Sequence, residues 1–180
     1  MRTTTVLLTI LLAALVLPTA ATAQEYSRPA RVDATFKTLI GEWEGMMTLT
    51  WTGGAVQKIP ITCRCTPVLD TTSVSCMITM VFTSDYSIHV MQLFSWDAMT
   101  KKFVMFETAD NGEVSYSEGL LPSVPSDPWH LKMLPKILEN VEHAATTDFS
   151  THGNNELRYL VDYRKDGKSE INQVVKLTRK

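Results

Sequence analysis

From Glu42 onward, apolar and polar residues alternate in short runs separated by turn-forming clusters, and no stretch carries a long helical period. A period of two is the signature of a strand with one face buried. Runs of roughly 7–12 residues punctuated this way predict an antiparallel sandwich or barrel. The first run, about Glu42 to Trp51, places Trp43, Met47, Leu49 and Trp51 on one face and Glu42, Glu44, Thr48 and Thr50 on the other, and it ends at Thr52-Gly53-Gly54. The second, about Val56 to Thr66, aligns Ile59, Ile61, Cys63 and Cys65. Pro60 lacks a ladder donor, so it belongs at an edge, a bulge or a non-bonded site. The third, about Ser73 to Thr83, aligns Val74, Cys76, Ile78, Met80 and Phe82. A turn centred between Asp70 and Thr71 pairs Cys65 with Cys76, Cys63 with Ile78 and Ile61 with Met80, so every inward pair is apolar.

The fourth run, about Tyr86 to Trp96, allows two registers. A tight turn at Ser84-Asp85 points His89, Met91 and Leu93 inward, whereas one extra loop residue points Ile88, Val90, Phe94 and Trp96 inward. The second set is the more apolar and is preferred. Phe103 to Thr108 follows, then Asp110-Asn111-Gly112, the strongest hairpin signal in the chain, and Val114 to Leu121. Pro122 to Pro128 reads as a rigid loop, a candidate lid or rim. His130 to Val141 and His143 to Phe149 are weaker strands. In the last two runs a loop centred on Gly167 pairs Tyr163 with Ile171 and Tyr159 with Val175. The sum is about ten strands in an up-and-down meander, and closing the sheet removes its edges. The expected fold is therefore all-β, a ten-stranded antiparallel barrel preceded by a short N-terminal helix over Val32 to Ile40.

Phe36 to Gly45 supplies the stopper. A helical turn breaks at Gly41, which tolerates a sharp bend, and Trp43, too large to leave in water cheaply, plugs the base. Ahead of it, Arg2, the apolar run Val6–Leu17 and Ala21-Thr22-Ala23 form a secretory leader pattern with Gln24 as the expected mature start. The run is short of the ~20 residues that span a bilayer, and none of that length follows. The expected organisation is a signal peptide over 1–23, an arm over 24–31 and a barrel domain over 32–180, exported to the periplasm or the exterior. Net charge is −2, and −3 once Arg2 leaves with the leader. That balance carries no footprint for nucleic acid.

Several residues could carry chemistry. Cys63, Cys65 and Cys76 enter an oxidising compartment, where one bridge, Cys65–Cys76, is compatible with the register. Cys63 and Cys65 share a strand face ~7 Å apart. A thiolate metal site would need a fourth ligand and a polar opening, and their neighbours are apolar, so no metal is expected. Glu42 and Glu44 share a face that reads as solvated rather than as a paired-carboxylate site. No G-x-S-x-G elbow occurs, no residue is assigned a catalytic role, and no cofactor is called for. The nine methionines, Met1 included, suit a core or a greasy cavity equally. His89, Tyr116 and Tyr159 are the candidates to orient the polar end of a small apolar ligand in the lumen.

Phe36-x-x-Leu39-x-Gly41-x-Trp43-x-Gly45, together with Leu93-Phe94-Ser95-Trp96-Asp97, Thr100, Phe103 and the closing Asp166-Gly167 hairpin, resembles a bacterial family of lipocalin-like domains of unknown function. The resemblance covers most of the chain after the leader and implies a fold, not an activity. The calycin superfamily shares the G-x-W at the first strand with a basic residue near the last strand packing over the tryptophan. That likeness implies Trp43 paired with Arg179, or with Arg164, as a structural plug. The haem-binding nitrobindin group opens similarly but continues with a further glycine, where this chain has Met46 and Met47. No histidine matches that group's ligand context, and the departure weighs against haem. The functional expectation is an exported barrel that binds a small hydrophobic molecule. The alternatives are an enzyme acting on an apolar substrate inside the barrel, and a filled barrel that binds a protein through the Pro122 to Pro128 loop.

Overall fold

The computed structural model describes residues 28–69, 72–120, 129–139, 144–152 and 155–180. The leader, the first half of the arm and the Pro122 to Pro128 loop lie outside them. One helix, α1 (Ala30–Leu39), precedes ten strands: β1 (Gly41–Trp51), β2 (Val56–Val68), β3 (Ser73–Thr83), β4 (Tyr86–Asp97), β5 (Lys102–Ala109), β6 (Val114–Leu120), β7 (Trp129–Glu139), β8 (Ala144–His152), β9 (Glu156–Lys165) and β10 (Lys168–Arg179). Each strand pairs antiparallel with the next, and β1 pairs with β10, so the meander closes into a barrel. The helix begins at Ala30, two residues before the sequence boundary, because Pro29 can start it: the Pro29 carbonyl accepts from Val32 N–H.

Most registers follow from side-chain parity. Cys65 faces Cys76, Cys63 faces Ile78 and Ile61 faces Met80, as expected, while Tyr163 faces Ile171 and Tyr159 faces Val175. The β2–β3 ladder ends at Ile61, which leaves Pro60 just beyond it, where its missing N–H breaks no bond to β3. At the β3–β4 hairpin both sequence options turn out to contribute. The turn is the tight one, with Thr83 opposite Tyr86, but a bulge between Val81 and Thr83 inserts the extra residue. The bulge resets parity, so Val90 and Phe94 are buried and His89 is exposed.

The helix closes one end of the barrel. Val32, Thr35, Phe36 and Leu39, spaced to share one helical face, are its buried residues. Phe36 meets Phe103 edge-to-face at 5.5 Å, and Trp96 meets the same ring at 5.4 Å. Trp43, 1% exposed, donates its indole N–H to Leu39 O at 2.9 Å. Arg179 lies across from it on β10, its guanidinium 4.2 Å from the ring centroid, and donates to Ile40 O at 2.5 Å and Thr38 O at 2.9 Å. It thus satisfies carbonyls that a helix C-terminus leaves open, at the negative end of the helix dipole. Arg164 instead pairs with Asp162 on the exposed surface. Two glycines are required by this packing. At Gly41 the backbone has φ +142°, and a Cβ would sit 2.3 Å from the Arg179 guanidinium; at Gly45 a Cβ would sit 1.9 Å from Lys176 O. Near the same end Cys65 and Cys76 are joined as a disulfide, with Cys65 in register with Gly41.

Candidate functional site

The opposite half of the barrel is not filled. A cavity of about 360 Å³ lies there, within the size range of small-molecule sites. Its apolar wall includes Met47 from β1, Ile61 from β2, Ile78 and Met80 from β3, Val90 from β4 and Val161 from β9. Of the lining residues, Tyr159 is held from behind by Phe149, whose ring lies 5.4 Å from it and meets Phe94 edge-to-face at 5.4 Å. Asn111 and Glu113, exposed in the β5–β6 turn, stand at the mouth.

A polar set interrupts the apolar wall. Gln92 of β4 faces Glu107 of β5 across the ladder and donates its amide to Glu107 Oε2 at 2.5 Å. Tyr163 of β9 donates its hydroxyl to Gln173 Oε1 of β10 at 3.0 Å. Tyr159 lines the cavity, and its fully buried hydroxyl has no hydrogen-bond partner among the described residues. A buried polar atom left unmatched is costly, and a ligand atom placed beside it would recover the loss. Glu107 has intermediate surface exposure only because it borders the cavity; the barrel encloses it, and loss of water is the main influence, raising its carboxyl above the usual range. Donation from Gln92 opposes that shift and the Glu113 carboxylate adds to it. Burial likewise holds the Tyr159 and Tyr163 hydroxyls protonated well past their ordinary range. A smaller cavity of about 50 Å³ borders Glu107, Glu113, Thr147 and Tyr163 and extends toward Ser117 and Pro135.

Of the three ligand-orienting candidates, only Tyr159 borders this cavity. His89 is exposed, its ring within hydrogen-bond reach of Thr79 Oγ1 at 3.1 Å, because the β3–β4 bulge puts odd-numbered β4 residues outside. Tyr116 also points outward. It pairs with exposed Phe106 and neighbours the Lys102–Glu118 ion pair, while Ser115, Ser117 and Gly119 take the inward positions of β6. His130, His143 and His152 have no described side chains. Glu42 and Glu44 are solvent-facing and pair with Arg64 and Lys180.

The sulfur cluster is buried. Cys63 is buried, its Sγ 3.5 Å from Cys65 Sγ, and burial pushes its thiol up to about 12. With Cys65 and Cys76 bonded to each other, Cys63 is the one remaining thiol of the three, and its apolar surroundings disfavour the thiolate a metal would need.

No family model matches the chain, and no curated protein does. Solved structures do. The crystal structure of Rv2717c from M. tuberculosis aligns with a TM-score of 0.64 over 85% of this chain and 99% of that one, at 14% identity. The S-type phycobiliprotein lyase CPES from Guillardia theta aligns with a TM-score of 0.59 over 83% and 92%, at 8% identity. At these identities the likeness is one of fold alone, and the fold here is a closed antiparallel barrel.

Proposed function

We propose that this protein is exported and carries one small, mainly apolar molecule in the open half of its barrel. The observation that carries the reading is the cavity itself: a mainly apolar pocket of about 360 Å³, lined in part by Tyr159, whose buried hydroxyl has no partner among the described residues. Burial of ligand surface would contribute about 25 cal/mol per Å² of apolar area, and the hydroxyl would fix orientation. Export is supported by the leader pattern over residues 1–23 and by the disulfide, a bond that persists in oxidising compartments. The unfilled half of the barrel argues against the filled-barrel interaction module. Native mass spectrometry of the protein purified from its own host tests the reading. A single co-purifying small molecule, released on unfolding, is the expected result; the bare chain mass, unchanged after incubation with apolar probes, would overturn it.

A further inference from the structure

The charge of the lumen narrows the class of ligand. Among the described residues lining the cavity there are two carboxyl groups, Glu107 and Glu113, and no lysine, arginine or histidine. Among the described residues Glu107 has a single hydrogen-bonded neighbour, the neutral Gln92 amide, so an ionised carboxylate there keeps an uncompensated charge inside the barrel. Two aromatic rings, Tyr159 and Tyr163, border the same space, and the small side cavity next to Glu107 is lined by Ser115, Ser117 and Thr147. A carboxylate, two π faces and a hydroxyl-lined recess make a receptor for a cation with an apolar body. The same wall repels a ligand carboxylate.

We propose that the lumen selects apolar molecules bearing a protonated amine, with Glu107 as the counter-ion and the Tyr159 and Tyr163 rings flanking the ammonium. This inference rests on the carrier reading above and adds the ligand's charge to it. It excludes fatty acids as preferred cargo. It also makes binding pH-dependent, because protonating Glu107 removes the counter-ion while an alkylamine stays charged. The polar groups that line the cavities with Glu107 include Gln92 from β4, Glu113 in the β5–β6 turn, Thr147 from β8, Tyr159 and Tyr163 from β9 and Gln173 from β10. Of these only Glu113 is another acidic side chain, and burial keeps both tyrosines neutral. Affinity for the amine therefore falls as pH falls, and affinity for a neutral ligand does not.

The test is calorimetric titration of the full chain, without its leader, with phenylbutylamine, phenylbutanol and phenylbutanoate, three probes with one apolar body and three heads. The amine should bind at least about tenfold tighter than the alcohol, the equivalent of about 1.4 kcal/mol, and the carboxylate weakest. In Glu107→Gln, which keeps size and hydrogen bonding, the preference for the amine over the alcohol should disappear, the amine losing at least about tenfold more than the alcohol; a melt on the same sample reports folding. Equal binding of amine and alcohol, or binding of the carboxylate as tight as either, would overturn the inference and leave the carrier reading standing. An amine preference that survives in folded Glu107→Gln would overturn the assignment of Glu107. Failure of all three probes to bind would contradict the carrier reading itself.

Discussion

The two ends of this barrel are built from the same strands and do different things. At the helix end, Trp43, Phe36, Phe103 and Leu177 fill the lumen completely, Arg179 ties the last strand to the helix C-terminus, and a disulfide links the adjacent hairpin. Every polar group named there has a partner. At the other end the inward positions hold Gln92, Glu107, Thr147 and Gln173 among aliphatic side chains, space remains between them, and the Tyr159 hydroxyl is unmatched. A close-packed end holds the shape, and an end left unfilled has polar groups whose cost a guest can offset. Stability and binding should therefore separate along the barrel axis.

The sharpest way to break the comparison is to empty the plug. Trp43→Ala removes a fully buried indole and its hydrogen bond and should cost about 3–5 kcal/mol, read as a large fall in the denaturation midpoint; a loss below about 1 kcal/mol would mean the plug carries no load. Cys65→Ser with Cys76→Ser comes next. The bridge closes a loop of 11 residues' separation, so its loss should cost about 3 kcal/mol, matched by adding reductant to the native protein. Met80→Ala, on the cavity wall, should cost about 1–2 kcal/mol, because the transfer term is lost but the space beside it already exists.

The smallest stability effect is the most diagnostic. Burial raises the Glu107 carboxyl above its unfolded value, so its contribution is present below the ordinary glutamate range and is lost as pH rises through the folded value. Glu107→Gln should thus gain stability relative to the native chain between acid and neutral pH, and the two should converge near pH ~3, below the ordinary glutamate range, where the side chain is protonated in both states. Paired thermal melts at the two pH values check it; a constant difference would show that Glu107 is not enclosed as described.

The architecture was legible because its determinants are local or periodic. The β2–β3 and β9–β10 registers follow from parity and turn position, and the Phe36 to Gly45 motif encodes the plug almost residue by residue. The site was harder to read, and for one physical reason. Inward positions were sought as apolar ones, so the polar members of the same faces were passed over: Gln92 between Val90 and Phe94, Glu107 after Phe103 and Met105, Gln173 between Ile171 and Val175. A polar residue at an inward step of an apolar face was the available signal. His89 and Tyr116 lie outside the cavity although their residue types suit a ligand. Parity decides their direction, and at His89 a single bulged residue in the preceding hairpin sets it.

The central claim is that the half of the lumen away from the helix is a binding site and not a packing fault. Ala145 lines that cavity, and Ala145→Phe would fill it without touching the plug. Titration of the native chain and of Ala145→Phe with phenylbutanol tests this directly, the variant's melting point serving as a check on its fold. The account predicts one probe molecule per native chain and loss of binding in a variant that still melts cooperatively. Binding that persists in the filled variant, or no binding to the native chain, would contradict it.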